Sequence, residues 1–78
     1  MMTINKYKLG DNIHKAYKSV GMTQWQLAEQ LDVGIVSVSR WVNGHKQPTL
    51  LNLIKISLIT GTSVDELLEG VVKRGNAI

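Results

Sequence analysis

The side chains that could do covalent or acid–base chemistry are few in this chain and poorly spaced for it. There is no cysteine, which excludes a thiolate zinc site, a cysteine nucleophile and a disulfide framework. His14 and His45 lie far apart in sequence, and no Ser, His and Asp grouping or nucleotide-binding glycine motif accompanies them. Asp65, Glu66 and Glu69 read as helix capping and solvated charge. These features argue against an enzyme, and no metal or other cofactor is expected. What remains is recognition by charge and hydrogen bonding. Nine Lys and Arg oppose six Asp and Glu, a net charge of +3, and the surplus falls within residues 8–60. There Lys8, Lys15, Lys18, Arg40, Lys46 and Lys55 outnumber Asp11, Glu29 and Asp32. A basic face suits nucleic acid, an anionic membrane or an acidic partner, and charge alone does not separate these from a solvated surface.

The elements that position these residues must come from a small domain. A chain of 78 residues buries only about 60% of the surface exposed when unfolded. Its 44% hydrophobic and 19% charged content is far from that of disordered chains, so an apolar core is available. With two Trp, two Tyr and no Phe, that core is aliphatic. No apolar run is long enough for a signal peptide or for a span of roughly 20 residues. The expected location is therefore cytoplasmic, without a membrane partner.

Leu9, Ile13, Ala16, Tyr17 and Val20 share one helical stripe, which predicts a first helix ending at Gly21. Thr23 and Gln26 have capping-box spacing and open a second helix running to Leu31, with Leu27, Ala28 and Leu31 inward. Residues 35–42 are β-branched enough to suit a strand. The triplet Val38, Trp41 and Val42, with Asn43-Gly44 as a left-handed cap, favours a third helix, and nothing else in the chain reads as a β partner. Thr49 caps a fourth helix over residues 50–60, with Leu50, Leu53, Ile56, Ser57 and Thr60 on one face. Ser63 and Glu66 form another capping box and open a short fifth helix stopped by Gly70. Residues 1–70 are read as the domain, and residues 71–78 as a tail that is frayed unless a partner orders it.

The stretches Met22-Thr23-Gln24, Leu27-Ala28, Ser39-Arg40-Trp41-Val42-Asn43-Gly44, Pro48-Thr49-Leu50 and Ser63-Val64-Asp65-Glu66-Leu67-Leu68 stand at mutually consistent spacing. Together they resemble the helix-turn-helix family of phage Cro proteins and phage repressors, also called XRE-like, over roughly residues 9–68. The resemblance implies an all-α, five-helix, lambda-repressor-like domain with the helix-turn-helix at about residues 23–42. Packing chemistry agrees with it. Ala28 is small where the third helix must cross close to the second, and Leu27, Leu31, Val38 and Trp41 fill the wedge between them.

By this resemblance the third helix reads the major groove of double-stranded DNA. With Val38 inward, Val36 and Arg40 point outward, flanked by Ile35, Ser37 and Ser39. Arg40 is the favoured base reader because its fork matches guanine O6 and N7, with a phosphate contact or an acidic partner as alternatives. Ile35 and Val36 stand where the family often has polar readers. They suit thymine methyl groups or, equally, a protein surface. Gln24 matches the family's phosphate-binding position, Thr23 is a cap beside it, and Asn43 and Lys46 are further phosphate candidates. Trp25, on the outer side of the second helix, either packs on the sugar-phosphate backbone or covers the first helix or the N-terminal arm.

Two departures from the family pattern accompany the match. Tyr17 and Val42 replace a family Arg and Glu that form a buried ion pair. Joint apolar replacement of such a pair is often neutral, whereas losing one partner strands a charge at about 3–5 kcal/mol. The expectation is that Tyr17 packs on Val42. Asp32 replaces the turn glycine and must take a left-handed conformation.

The function implied is a Cro-like repressor of a phage or mobile element, with no small-molecule effector because the length leaves no room for a domain to bind one. A single helix-turn-helix buries little surface, so a homodimer is expected, through Leu51, Ile54, Leu58, Leu68, Val71 and Val72. The alternative is that the fifth helix and the tail cover that flank. Two other functions fit the same residues. One is a module that binds and inhibits another regulator through Ile35, Val36 and Trp25, and the other is an antitoxin or a restriction-modification controller.

Overall fold

The structure is a computed structural model that describes residues 2–74. In chain order it comprises β1 (Met2–Ile4), α1 (Lys6–Ser19), α2 (Gln24–Leu31), α3 (Ile35–Val42), α4 (Leu50–Thr60), α5 (Val64–Leu67) and β2 (Val72–Arg74). The five helices enclose one core of Leu9, Ile13, Ala16, Tyr17, Leu27, Ala28, Leu31, Val38, Trp41, Leu53, Ile56, Leu67 and Val71. Helices of 14, 8, 8, 11 and 4 residues are too short to persist alone in water, so the shared core holds them. Their ends follow the expected chemistry. Both capping boxes are formed, Thr23 with Gln26 and Ser63 with Glu66, and Thr49 Oγ1 accepts from the Asn52 N–H. Asp32 ends α2 in the left-handed region at φ 56°. Tyr17 is buried and Val42 is half-buried against the same core.

Four expectations are corrected. First, α1 begins at Lys6 rather than at Leu9: Asn5 Oδ1 accepts from the Lys8 N–H at 3.0 Å, so the polar first turn is helical although it contributes nothing to the apolar stripe. Second, the chain does contain β structure. β1 and β2 pair antiparallel with Ile4 opposite Val72, and the pairing continues where the Asn5 N–H donates to the Val71 carbonyl at 2.7 Å. Strands of three residues are too short to show a period of two. Third, the tail is not frayed over residues 71–74. Val71 is 3% exposed and belongs to the core, which removes it from the expected dimer surface, and Val72–Arg74 form the strand. Residues 75–78 of the expected tail lie outside the described residues. Fourth, Leu50 is exposed rather than inward, because the first residue of α4 projects past the end of the core.

Buried Asn12 ties the last helix to the first. Its Nδ2 donates to the Leu67 carbonyl at 2.8 Å and to the Glu69 carbonyl at 2.9 Å, satisfying oxygens at the end of α5 that the short helix leaves unpaired. Asn12→Ala removes both donors and leaves two carbonyls short of partners, at about 1–3 kcal/mol. Asn12→Asp should cost more, since a carboxylate would face two carbonyl oxygens. Urea unfolding midpoints of the two variants check the size and the order.

Candidate nucleic-acid interface

The position of α3 follows from two close approaches. Ala28 and Leu31 of α2 and Val38 and Trp41 of α3 are buried together, which sets the crossing of the two helices. On the other side Gly10 of α1 lies against the C-terminal end of α3. A Cβ at Gly10 would stand 2.6 Å from the Trp41 carbonyl oxygen and closer still to that of Val42. Held from both sides, α3 leaves its outer face in solvent. Val36 is 57% exposed and Arg40 is exposed, while Ile35, Ser37 and Ser39 are half-buried. Ile35 packs part of its side chain on the core.

A shallow concavity of about 500 Å³ is lined by Gln24, Ile35, Val36, Ser39, Arg40, Asn43 and His45. The fold therefore brings Gln24, from the start of α2, to the same surface as the outer residues of α3. Thr23, Ser37 and Lys46, also named from the sequence, do not line it. Thr23 is occupied as a cap: its Oγ1 accepts from the Gln26 N–H at 3.2 Å, and its own N–H donates to Gln26 Oε1 at 2.9 Å. Asn43 and Ser39 are coupled, since Asn43 Nδ2 donates to the Ser39 carbonyl at 2.9 Å and lies 3.3 Å from Ser39 Oγ. Asn43 is also the C-cap of α3, and its side-chain amide is engaged there with Ser39. His45 was missed by the sequence reading. It sits in the lining because its N–H donates to the Arg40 carbonyl at 2.8 Å, folding the turn back under α3. No periodicity signals such a contact.

The segment that carries α3, the turn after it and α4 is one-sided in charge. Residues 33–64 contain Arg40, Lys46 and Lys55 and no Asp or Glu. Trp25, on α2, is 71% exposed. His14 meets Tyr17 edge-on at 5.2 Å on α1. On α4, Leu51, Ile54 and Leu58 are exposed, as are Leu68 and Val72, with Leu58 reaching 78%. Among the described residues no helix is long and apolar enough to cross a membrane, and no group of three or more potential metal ligands is assembled.

Comparison with known proteins places this geometry. The family model HTH_3, Helix-turn-helix, matches residues 13–67. The cryptic phage CTXphi transcriptional repressor RstR of Vibrio cholerae is 30% identical over 60 residues, covering 77% of this chain and 54% of the relative. The HTH-type transcriptional regulator DicA of Escherichia coli is 33% identical over 69 residues, covering 88% of this chain and 51% of the relative. The chain thus spans about half the length of these curated relatives. The crystal structure of the restriction-modification controller protein C.AhdI from Aeromonas hydrophila superposes with a TM-score of 0.71 at 21% identity, over 78% of this chain and 92% of that one. That likeness speaks for the fold, and the family match covers both helices of the motif. With α2 and α3 packed as a helix-turn-helix and the outer face of α3 bare, the chain belongs to the Helix-turn-helix family, as do the curated relatives named as transcriptional regulators.

Proposed function

We propose that the chain is a cytoplasmic, non-enzymatic repressor of the Cro type that binds operator half-sites in double-stranded DNA as a homodimer, without a small-molecule effector. The observation that carries this reading is the exposed Arg40 sharing one concave surface with Gln24. A helix about 10–12 Å across fits the major groove, which is about 12 Å wide. There Arg40 reads a guanine, Val36 and the outer part of Ile35 meet thymine methyls, and Ser37 and Ser39 make secondary contacts. Gln24 and Thr23 at the start of α2, with Asn43 and Lys46 beyond α3, fix the domain on phosphates. The similarity to RstR supports repression.

The dimer is assigned to Leu51, Ile54, Leu58, Leu68 and Val72, whose exposure on one small domain is unusual for a monomer. Half-sites about 34 Å apart follow from a two-fold dimer with one reading helix per subunit. A second reading draws on the exposed Trp25 and Val36, which would suit a module that binds another regulator. Selection of bound duplexes from a random pool separates the two. A palindromic consensus with centres one helical turn apart is the expected result, and recovery of random sequence favours the protein-binding module.

A further inference from the structure

We propose that Lys6 and Tyr7 form a DNA phosphate-contact site beside the turn that follows α3, widening the interface beyond the helix-turn-helix. The proposal rests on the DNA-binding reading above. Tyr7, in the first turn of α1, is 66% exposed, yet one part of its ring is fixed against Gly44. A Cβ at Gly44 would lie 2.6 Å from Tyr7 Cδ1 and 3.0 Å from Cε1. Gly44 also holds φ at +74°, so glycine serves both the left-handed turn and the close approach of the ring. The Lys6 ammonium stands 5.7 Å from the centroid of the same ring, within the range of a cation–π contact.

These contacts chain the start of α1 to the reading helix. The Arg40 carbonyl accepts from the N–H of His45 at 2.8 Å and of Lys46 at 3.3 Å, which anchors the turn to α3. Tyr7 rests on that turn, and Lys6 rests on Tyr7. A domain that seats α3 in a groove brings the turn to the adjoining backbone, and the next donors in line are the Tyr7 phenol and the Lys6 ammonium. Both are side-chain types that contact phosphate oxygens. Residues 1–10 contain no Asp or Glu, and neither do residues 33–64. The next carboxylate along α1, Asp11, is paired with Lys15 at 3.2 Å, so the two segments that meet here present cations to an anion.

A phosphate contact carries no base information, which makes the site testable apart from Arg40. Lys6→Ala should lower the slope of log K against log salt by about 1.8, about 0.9 for the phosphate neutralised by each subunit of the dimer. Between 50 and 200 mM salt its affinity should then fall about 12-fold less than that of the wild type. Tyr7→Phe keeps the ring on Gly44 and removes only the hydroxyl. It should weaken binding about a hundredfold, the scale of one hydrogen bond to a charged group in each subunit of the dimer, without changing the slope. Both losses should be equal on operator and on scrambled duplex. Thermal unfolding of each variant at the wild-type temperature confirms that the fold is kept. An unchanged slope in Lys6→Ala, an unchanged affinity in Tyr7→Phe, or a loss confined to the operator overturns this site while leaving DNA binding intact. A wild-type protein that binds no duplex overturns the DNA-binding reading, and this site with it.

Discussion

Gly10→Ala should destabilise the domain by at least about 2 kcal/mol, although it introduces a better helix former into the middle of a helix. In an ordinary exposed helix interior the same change gains about 0.5–1 kcal/mol from backbone entropy and propensity. At Gly10 the added methyl meets the Trp41 carbonyl oxygen at 2.6 Å and crowds that of Val42 further. Neither atom can rotate away as a side chain would. Relief requires α1 and α3 to separate, and overpacking of this kind costs typically 1–3 kcal/mol and occasionally more. Steric cost therefore outweighs propensity. For a domain of this size each kcal/mol lowers Tm by about 4–8 °C, so a fall of about 10 °C or more is expected by calorimetry. Because Gly10 braces α3 from behind, the surviving folded protein should also bind DNA more weakly. A Tm at or above that of the wild type would mean that the two helices do not approach as closely as described.

Arg40→Ala should weaken operator binding more than any other single exposed change. A bidentate arginine–guanine contact is worth about 1–3 kcal/mol of discrimination. A two-fold dimer loses it twice, so the expected loss is about 2–6 kcal/mol. Specificity should relax at one base pair in each half-site and nowhere else. Arg40→Lys keeps the charge and loses the fork, so it should restore the salt dependence without restoring the base preference. Quantitative binding to the operator and to its single-base variants checks both. Equal losses on every sequence, with full rescue by lysine, would assign Arg40 to a phosphate instead.

The residues that define the fold were legible because they follow periods and caps. Leu27, Ala28, Leu31, Val38 and Trp41 recur at helical spacing, and each is buried. Thr23 with Gln26 and Ser63 with Glu66 announce two helix starts, and both boxes are formed. The β-branched content of residues 35–42 pulled towards a strand, and tertiary packing of Val38 and Trp41 overrode it. The ribbon was not legible. Its pairing joins Ile4 to Val72 across nearly the whole chain, and no local pattern encodes such a contact. Val71 was read as surface for the same reason, since its burial accompanies the pairing of its carbonyl with the Asn5 N–H at the other end of the chain.

The candidate surface was partly legible. Arg40 and Val36 face solvent as the helical wheel requires. His45 and Tyr7 were invisible to that wheel, because one depends on a turn folding back and the other on a ring meeting a glycine 37 positions away. Asn12 was missed as well: its partners are backbone carbonyls at the far end of the chain, so no side-chain pattern marks it.

The proposed role of the outer face of α3 is to read base sequence in double-stranded DNA. The most direct measurement is the ratio of equilibrium affinities of the wild-type protein for its selected duplex and for a scrambled duplex of equal length, at one fixed salt concentration. Specific protein–DNA complexes exceed non-specific ones by about 10³ or more. A ratio of that order is expected, lower in Arg40→Ala, and a ratio near one for the wild type would mean that the outer face of α3 does not read sequence.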